Sequence, residues 1–312
     1  MKTTDVLGCV GSAAFLLLAS AWIPFIGPFF SLLTPLPFLC YTTRLGLRQG
    51  IKLAAVAVFT IGLLANFMGQ PQVMLFVLEF SIIGVGLSAL FRRELALGQT
   101  LFLATVFMLL LGFALLFFIG LSKNMGPIEM ILAYLAEHMD ATIAAYKNVN
   151  VGGADSLALE TYAKAFILVI SKIYPSLMII GTGFALWLNI VIAKPLFRLW
   201  DLKYPHFNPM DRWQSPEFLV WGVIISGFGL FLSSGSIEFL AINALIVILA
   251  IYIFHGLSIV LFFFNKYKVP TWIRVGAYFL IMIQQLFFVV LILAGLFDQW
   301  ADFRRIHRRA SS

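Results

Sequence analysis

The sequence predicts an all-α protein, a polytopic transmembrane helical bundle of eight or nine spans with a proline-broken second element. Two observations support this fold class. Hydrophobic residues make up 62% of the 312 residues and charged residues 11%, against about 45–50% and about 25% in soluble domains. Apolar runs of close to 20 residues also recur along the chain, and that length crosses a bilayer as a helix.

The predicted spans follow one another with little sequence between them. The first covers about residues 7–23, and the broken second element covers about residues 29–41. The other seven cover about residues 51–68, 72–91, 100–121, 163–193, 218–232, 237–264 and 275–297. Because the spans use most of the chain, no room remains for a soluble catalytic domain of about 100 residues.

The second element is defined by its prolines, Pro28, Pro35 and Pro37. A proline has no backbone N–H, and its ring clashes with the preceding turn, so a straight helix cannot form here. Within a bilayer the freed carbonyls must be satisfied by neighbouring helices or by water in a cavity. Two interpretations are open: a kinked membrane hairpin, or a cavity wall whose shape the three prolines set.

A polar interval, residues 122–161, separates the fifth and sixth spans. Apolar residues recur at helical spacing near 127–146, with Pro127 in a first-turn position. We expect an amphipathic helix on the outer membrane surface or across the end of the bundle. The predicted domains are therefore 1–193, a six-span membrane domain with this external helix, and 194–312, a cytoplasmic loop with two or three further spans and a basic tail.

Lysine and arginine predict the orientation in the membrane. Twelve of them lie in four turns, at 44–52, 92–93, 194–212 and 266–274. The turns on the opposite side hold only Lys123 and Lys147. The four cationic turns should therefore face the cytoplasm. The arginines of residues 304–309 favour the cytoplasm too, whereas nine full crossings would place them outside, so eight and nine spans both remain open.

Polar side chains deep in the spans are the candidates for function. Glu79 lies well inside an apolar span, where a charge costs about 2.5–3.5 kcal/mol, so we expect it to be protonated or partnered. It is either a neutral group bonded to a neighbouring helix or a group that couples protons or binds substrate. The other substrate-path candidates are Asn66, Asn189, Gln284, Gln285 and His255. For each of these the plainer interpretation is an interhelical hydrogen bond.

Several classes of function lack their sequence signatures. The chain has no Walker A loop, no H-E-x-x-H and no G-x-S-x-G motif, so we expect no enzyme, no cofactor and no metal site. Cys9 and Cys40 lie in apolar runs without metal-ligand spacing and are expected to be small packing residues. The net charge of +7 comes from short turns between spans, so no nucleic-acid partner is expected.

Three stretches resemble the YybS-like family of bacterial multispanning membrane proteins, a domain of unknown function. They are the broken element leading into RLGLRQG, the run YPSLMIIGTGFALWLNIVIAKPLFR, and the close FFFNKYKVPTWIR … LAGLFDQWADFRR. This resemblance implies a multi-pass protein of the bacterial cytoplasmic (inner) membrane, with the lipid bilayer as its first partner.

The first six spans resemble, more distantly, the substrate-binding S components of energy-coupling-factor vitamin transporters. In those proteins an early P-x-P element, similar to Pro35-Leu36-Pro37, precedes a basic turn. The resemblance implies a small-molecule solute and an energising ATPase module as partners. S components often dock that module through an Ala-x-x-x-Ala pattern in the first span. Here the pairs Gly8/Ser12 and Cys9/Ala13 stand at that spacing instead, which argues against the module.

Three functions follow from these observations. The first is solute binding or transport of the S-component-like type, with a cavity lined by the broken element and the interior polar side chains. The alternative is a non-transporting membrane assembly or scaffold protein, in which those side chains only join helices. The third is an intramembrane lipid-modifying enzyme with Glu79 or His255 as its base.

Overall fold

A computed structural model describes residues 2–22, 27–70, 73–148, 153–232 and 234–304. In this part of the chain there is no β-strand, so the all-α fold class is confirmed. The helices are α1 (Thr3–Trp22), α2 (Gly27–Leu32), α3 (Pro35–Leu45), α4 (Leu47–Phe67), α5 (Val73–Phe91), α6 (Leu97–Lys123), α7 (Pro127–Asn148), α8 (Gly153–Leu199), α9 (Leu219–Leu232), α10 (Ser236–Lys266), α11 (Thr271–Ile283) and α12 (Gln285–Ala301). A short 3₁₀ turn, Met210–Arg212, precedes α9.

The number of candidate spans is lower than the predicted eight or nine. Among the described residues, six helices are long and apolar enough to cross a bilayer: α1, α4, α5, α6, α8 and α10. The pair α11 and α12 makes a seventh if it is counted as one span, although a bend of 103° separates its halves. The prolines split the second element into helices of 6 and 11 residues, and α9 has 14. All three are shorter than the roughly 20 residues that a span needs.

The helices form two compact units. Unit 1 contains Met1–Met130 and Gly181–Phe207, and unit 2 contains Ile131–Ile180 and Asn208–Ser312. Helix α8 contributes its first part to unit 2 and its last part to unit 1. The predicted division into membrane domains at residue 193 stays a prediction.

Helix α3 lies between two hydrophobic clusters of unit 1. Leu36 and Leu39 pack in a cluster shared with α5, α6 and α8. Phe38 packs in a second cluster, shared with α1, α4 and α5. Because opposite faces of α3 serve both clusters, every residue from Pro35 to Cys40 is buried. The proline-broken element is therefore an internal part of unit 1.

The chain after α8 folds back onto unit 1 and fixes the end of that helix. The ring of Tyr204 packs edge-on against Phe91, Phe197 and Phe207. Its hydroxyl donates to the carbonyl oxygen of Ile190 at 2.8 Å, and burial raises the pKa of Tyr204 to about 12. The tyrosine is therefore a neutral donor at any physiological pH, and it holds the stretch of α8 around residue 190.

Helix α10 is the central helix of unit 2, and α9 packs antiparallel to its first half. Gly222 of α9 faces Ile248, and Gly229, two turns later, faces Ala241. Residue numbers on α9 thus rise as those on α10 fall. Glycine at these positions lets the two helices approach closely.

Helix α12 runs antiparallel along the second half of α10. A Cβ atom on Gly256 would lie 2.3 Å from the carbonyl oxygen of Leu291, and one on Gly295 would lie 2.6 Å from that of Tyr252. No side chain fits between two backbones this close. Helix α12 therefore packs directly on the backbone of α10.

Candidate functional site

The break between α2 and α3 leaves one backbone carbonyl for a side chain to satisfy. Pro35 and Pro37 cannot donate hydrogen bonds. The amides of residues 33, 34 and 36 donate instead to carbonyls three residues earlier, at 3.0–3.1 Å, as in a 3₁₀ helix. Because the amide of Leu36 bonds to Leu33, the carbonyl of Leu32 loses the donor that a continuous helix would provide.

Asn189 of α8 donates to this carbonyl. Its Nδ2 atom lies 2.7 Å from the oxygen of Leu32 and 2.8 Å from the oxygen of Ala185, one turn earlier on α8. Leu186 and Ile190 position the helix here, because both belong to the core cluster that also contains Leu36. The sequence candidates Asn189, Pro35 and Pro37 are thus brought together in unit 1.

Two polar atoms at the break make no hydrogen bond within the described part of the chain. They are Oδ1 of Asn189 and Oγ1 of Thr34. These residues are only 1% and 0% exposed. An unsatisfied buried polar atom costs about 1–3 kcal/mol, so two of them at one break indicate a place for a bound water, ion or solute. We name the Leu32 carbonyl, Thr34 and Asn189 the break site.

Glu79 lies at about the height of the break site in unit 1. Helix α5 runs parallel to α3, since Gly84 abuts the Pro35 carbonyl and the hydroxyls of Ser88 and Thr43 are 2.9 Å apart. Glu79 precedes Gly84 by five residues, or about 7.5 Å at 1.5 Å per residue. That distance places it level with the break.

The side chain of Glu79 is half-buried beside α6. Its Oε1 atom lies 3.9 Å from the position that a Cβ atom on Gly112 would take, so the glycine leaves room above the carboxyl group. No hydrogen bond or ion pair joins Glu79 to another described residue. The predicted proton or substrate role of Glu79 stays a prediction.

None of the remaining sequence candidates belongs to the break site. Asn66 is exposed near the end of α4, and Gln284 and Gln285 are exposed at the bend between α11 and α12. Pro28 belongs to α2, but its side chain is outside the described residues. His255 lies in the other unit, inside a polar cluster of its own.

His255 is completely buried and contacts polar groups on both sides of its ring. Nδ1 lies 2.9 Å from Oγ of Ser215, and Nε2 lies 3.2 Å from Oδ2 of Asp298. Arg304 donates to the same Asp298 oxygen from Nε and Nη2, at 3.2 and 2.8 Å. Gln299 donates to Oγ of Ser215 at 3.2 Å. These five residues form the polar cluster of unit 2.

Arg304 also binds the loop that precedes α9. Its Nη1 atom donates to the carbonyls of Asp211 and Trp213, at 2.9 and 3.1 Å, and to Oγ of Ser258 at 2.8 Å. A buried guanidinium needs this many acceptors, because each unpaired N–H would carry a desolvation cost. The cluster therefore joins this loop, α10, α12 and the residues after α12.

Ser215, His255 and Asp298 stand in the order of a nucleophile, a base and a carboxylate, yet their surroundings oppose catalysis. Arg304 neutralises Asp298, and its Nη2 atom lies 2.9 Å from Nε2 of His255. This ring nitrogen, which a general base would use, therefore already faces a hydrogen-bond donor. Gln299 also occupies a lone pair of the Ser215 hydroxyl. The arrangement fits a structural cluster better than a catalytic one.

Asn243 bonds to backbone groups of α8 near Pro175, as Asn189 bonds to the Leu32 carbonyl at the break. Its Oδ1 atom accepts from the amide of Ser176 at 2.9 Å, and its Nδ2 atom donates to the carbonyl of Lys172 at 2.8 Å. In an unbroken helix the amide of residue 176 would bond to the carbonyl of residue 172. The asparagine side chain is thus inserted into the hydrogen-bond ladder of α8.

Several of these residues were not among the sequence candidates: Thr34, Ser215, Asn243, Asp298, Gln299 and Arg304. Three of them carried a signal. Asn243 is an amide within an apolar run, like the amides that were chosen. Asp298 and Arg304 are opposite charges in one short stretch, but arginines there were counted only as indicators of orientation. Thr34, Ser215 and Gln299 carried no signal in the sequence.

Comparison with known proteins gives two matches. Residues 12–299 match the family described as "Predicted membrane protein (DUF2232)". The chain is 22% identical over 291 residues to "Uncharacterized protein YybS" of Bacillus subtilis (strain 168), with 91% of each chain covered. No solved structure matches.

Proposed function

The chain belongs to the DUF2232 family of predicted membrane proteins, and from that premise we propose that it binds or transports a solute at the break site. The observation that carries this proposal is the pair of buried acceptors without partners, on Asn189 and Thr34. Discontinuous helices packed inside membrane proteins are where transporters place solute and ion sites, because their ends expose backbone groups to the ligand.

In this conformation the break site is closed, since Asn189 and Thr34 are almost fully buried. A solute therefore reaches it only when unit 1 opens, as in alternating access. Opening of this kind requires that water has access to part of the site. Water must reach the acceptors at some time, whereas it need not reach the apolar side chains beside them.

The reactivity of introduced cysteines tests whether water reaches the site. In a background with both natural cysteines changed to alanine, we compare Asn189→Cys with Leu186→Cys, a buried apolar position one turn away on α8. Membrane vesicles are treated with a small water-soluble methanethiosulfonate, and unmodified thiols are counted by gel shift with a maleimide polymer. We expect the cysteine at 189 to react at least about tenfold faster, since only an aqueous path ionises a thiol.

A second variant protects the test against misfolding. Asn189→Cys removes the donor to Leu32, but Thr34→Cys removes no hydrogen bond that the structure shows. We expect the cysteine at 34 to react as fast as that at 189. Equally slow reaction at 34, 186 and 189 would refute a water-accessible site and with it the transport proposal.

The second candidate function, a membrane assembly or scaffold protein, is supported by the hydrogen-bonded side chains of Asn243 and His255 in unit 2. Asn243 and His255 make only the hydrogen bonds that hold helices together, and neither offers an unused group to a solute. Equal protection of all three cysteines would favour this function.

The proposal also covers the cellular location of the protein and its lack of enzymatic activity. We place the protein in the bacterial cytoplasmic membrane, supported by the relative from Bacillus and by the six apolar helices. We propose no enzymatic activity, because Arg304 and Gln299 occupy the groups that Ser215 and His255 would need for catalysis. An energising ATPase module stays a prediction from the S-component resemblance.

A further inference from the structure

Resting on the proposed solute site, we propose further that the break site binds a monovalent metal cation. The first argument is that the site presents oxygen acceptors. Nδ2 of Asn189 uses both of its hydrogens, on Leu32 and Ala185, so the amide can offer a ligand only its oxygen. Thr34 adds a hydroxyl oxygen, and the Leu32 carbonyl retains a second lone pair.

The second argument is that the start of α3 has lost the amides that bind anions. A helix N-terminus normally holds an anion through free backbone N–H groups. Here Pro35 and Pro37 have none, and the N–H of Leu36 donates to Leu33 at 3.0 Å. Carbonyl groups at the end of the preceding half-helix, such as that of Leu32, are instead the ligands that sodium finds in discontinuous helices.

The third argument concerns charge. Neutral oxygens suit a monovalent ion, whereas calcium and magnesium take carboxylate ligands. The break site contains no carboxylate. A monovalent ion also brings only one charge into the low-dielectric interior, which costs less than the two charges of calcium or magnesium.

Thermal unfolding of the purified full-length protein tests the inference. Midpoints are measured by tryptophan fluorescence in sodium, lithium, potassium and choline chloride at equal ionic strength. Choline is too large for the site and controls for screening. We expect at least one alkali cation to raise the midpoint over choline by roughly 2–4 °C at tenfold its Kd.

Variants locate the response. Thr34→Val removes one oxygen without changing shape and should abolish the cation-dependent rise, as should Asn189→Leu. Thr34→Ser keeps the oxygen and should keep the rise. The matched control is Thr60→Val on α4, whose hydroxyl donates to the Val56 carbonyl within its own helix, and it should respond like the wild type.

Two results would overturn the inference. One is the same midpoint in all four salts, as expected if ordered water alone fills the site. The other is a full cation response in Thr34→Val and Asn189→Leu. If the cysteines at 34 and 189 react with water-soluble reagent while no cation stabilises the protein, the proposed function stands and the site takes a neutral hydrogen-bond donor. If those cysteines are protected and no cation acts, both proposals fall.

Discussion

Arg304 returns to Asp298, six residues earlier, and places two guanidinium nitrogens on one carboxylate oxygen at 2.8 and 3.2 Å. The backbone reverses at Asp302, whose φ of 41° is left-handed. The amide of Phe303 then donates to the other Asp298 oxygen at 2.9 Å. The ion pair therefore joins the last turn of α12 to the residues directly after it, inside unit 2.

Because Asp298 and Arg304 form a buried ion pair, removal of one partner should greatly lower the free energy of unfolding. Arg304→Met should lower the free energy of unfolding by about 3–5 kcal/mol, because it leaves the Asp298 carboxylate buried without its cation. The double variant Asp298→Leu/Arg304→Met removes both charges and should be less destabilised than the single variant. Detergent unfolding of the purified proteins gives the comparison. A single variant as stable as the wild type would contradict the buried pair.

The insertion of Asn243 at Pro175 predicts a coupled pair of substitutions. Asn243→Leu should cost about 1–3 kcal/mol, since the amide of Ser176 and the carbonyl of Lys172 lose their partners. In a Pro175→Ala background the helix can close its own ladder, so the same change should cost less. Asn66→Leu, at an exposed amide, should change stability by less than about 0.5 kcal/mol. Equal costs of Asn243→Leu in both backgrounds would refute the coupling.

The close packing of α10 on α12 predicts a strong effect of one methyl group. Gly256→Ala should destabilise by about 1–3 kcal/mol, because its Cβ would meet the Leu291 carbonyl at 2.3 Å. Gly276→Ala on α11 is the control, since a Cβ there meets no atom within 4 Å. Thermal unfolding should separate the two variants clearly. Similar midpoints would mean that the backbones are not in contact.

The surface pair of Glu94 and Lys203 predicts that the stability of the protein falls at acidic pH. Its hydrogen bond and the lysine charge lower the pKa of Glu94, so the pair stabilises the fold above the unfolded-state pKa of about 4.3. That contribution is lost as the pH falls through the folded-state value. Between neutral pH and pH about 3.5, the wild-type midpoint should therefore fall further than that of Glu94→Gln. Salt should reduce the difference, because both side chains are exposed.

The charge pattern and the contacts of Arg304 predict the sides of the membrane. The Asp211 carbonyl accepts from Arg304, and its side chain accepts from Asn265 near the end of α10. Arg304 therefore lies beside the loop at 208–216. Cysteines at 198 and 309 should both be protected from an external reagent, and one at 140 should react. Labelling at 309 from outside would contradict the shared side.

Composition was sufficient for the class, and three short stretches were sufficient for the family. The all-α membrane fold and the resemblance to the YybS-like family are confirmed, because both depend on apolar runs and short motifs that a sequence displays directly. The number of spans was wrong for a physical reason. Hydropathy cannot show that α11 and α12 meet at a 103° bend. The run at 218–232, which forms α9, was counted as a span although it is shorter than about 20 residues.

The candidate site could be predicted only in part. The prolines located the break, but Asn189 donates to a carbonyl 157 residues away, and no local pattern reveals such a pair. His255 was chosen as an isolated histidine, whereas its environment is made by Ser215, Asp298 and Arg304. Contacts of this kind depend on tertiary packing, which side-chain chemistry alone does not specify.

The polar cluster of unit 2 has a consequence for how the protein is made. Arg304 lies 49 residues after His255, and a ribosome adds about 5–20 residues per second. For roughly 2–10 seconds, therefore, α10 is available to the insertion machinery while its histidine has neither Asp298 nor Arg304. During that interval the imidazole has Ser215 as a hydrogen-bond partner, while Asp298 and Arg304 have not yet been synthesised. Truncated nascent chains ending before residue 298 should then cross-link to the insertion machinery through position 255, and chains extending well beyond residue 304 should be released.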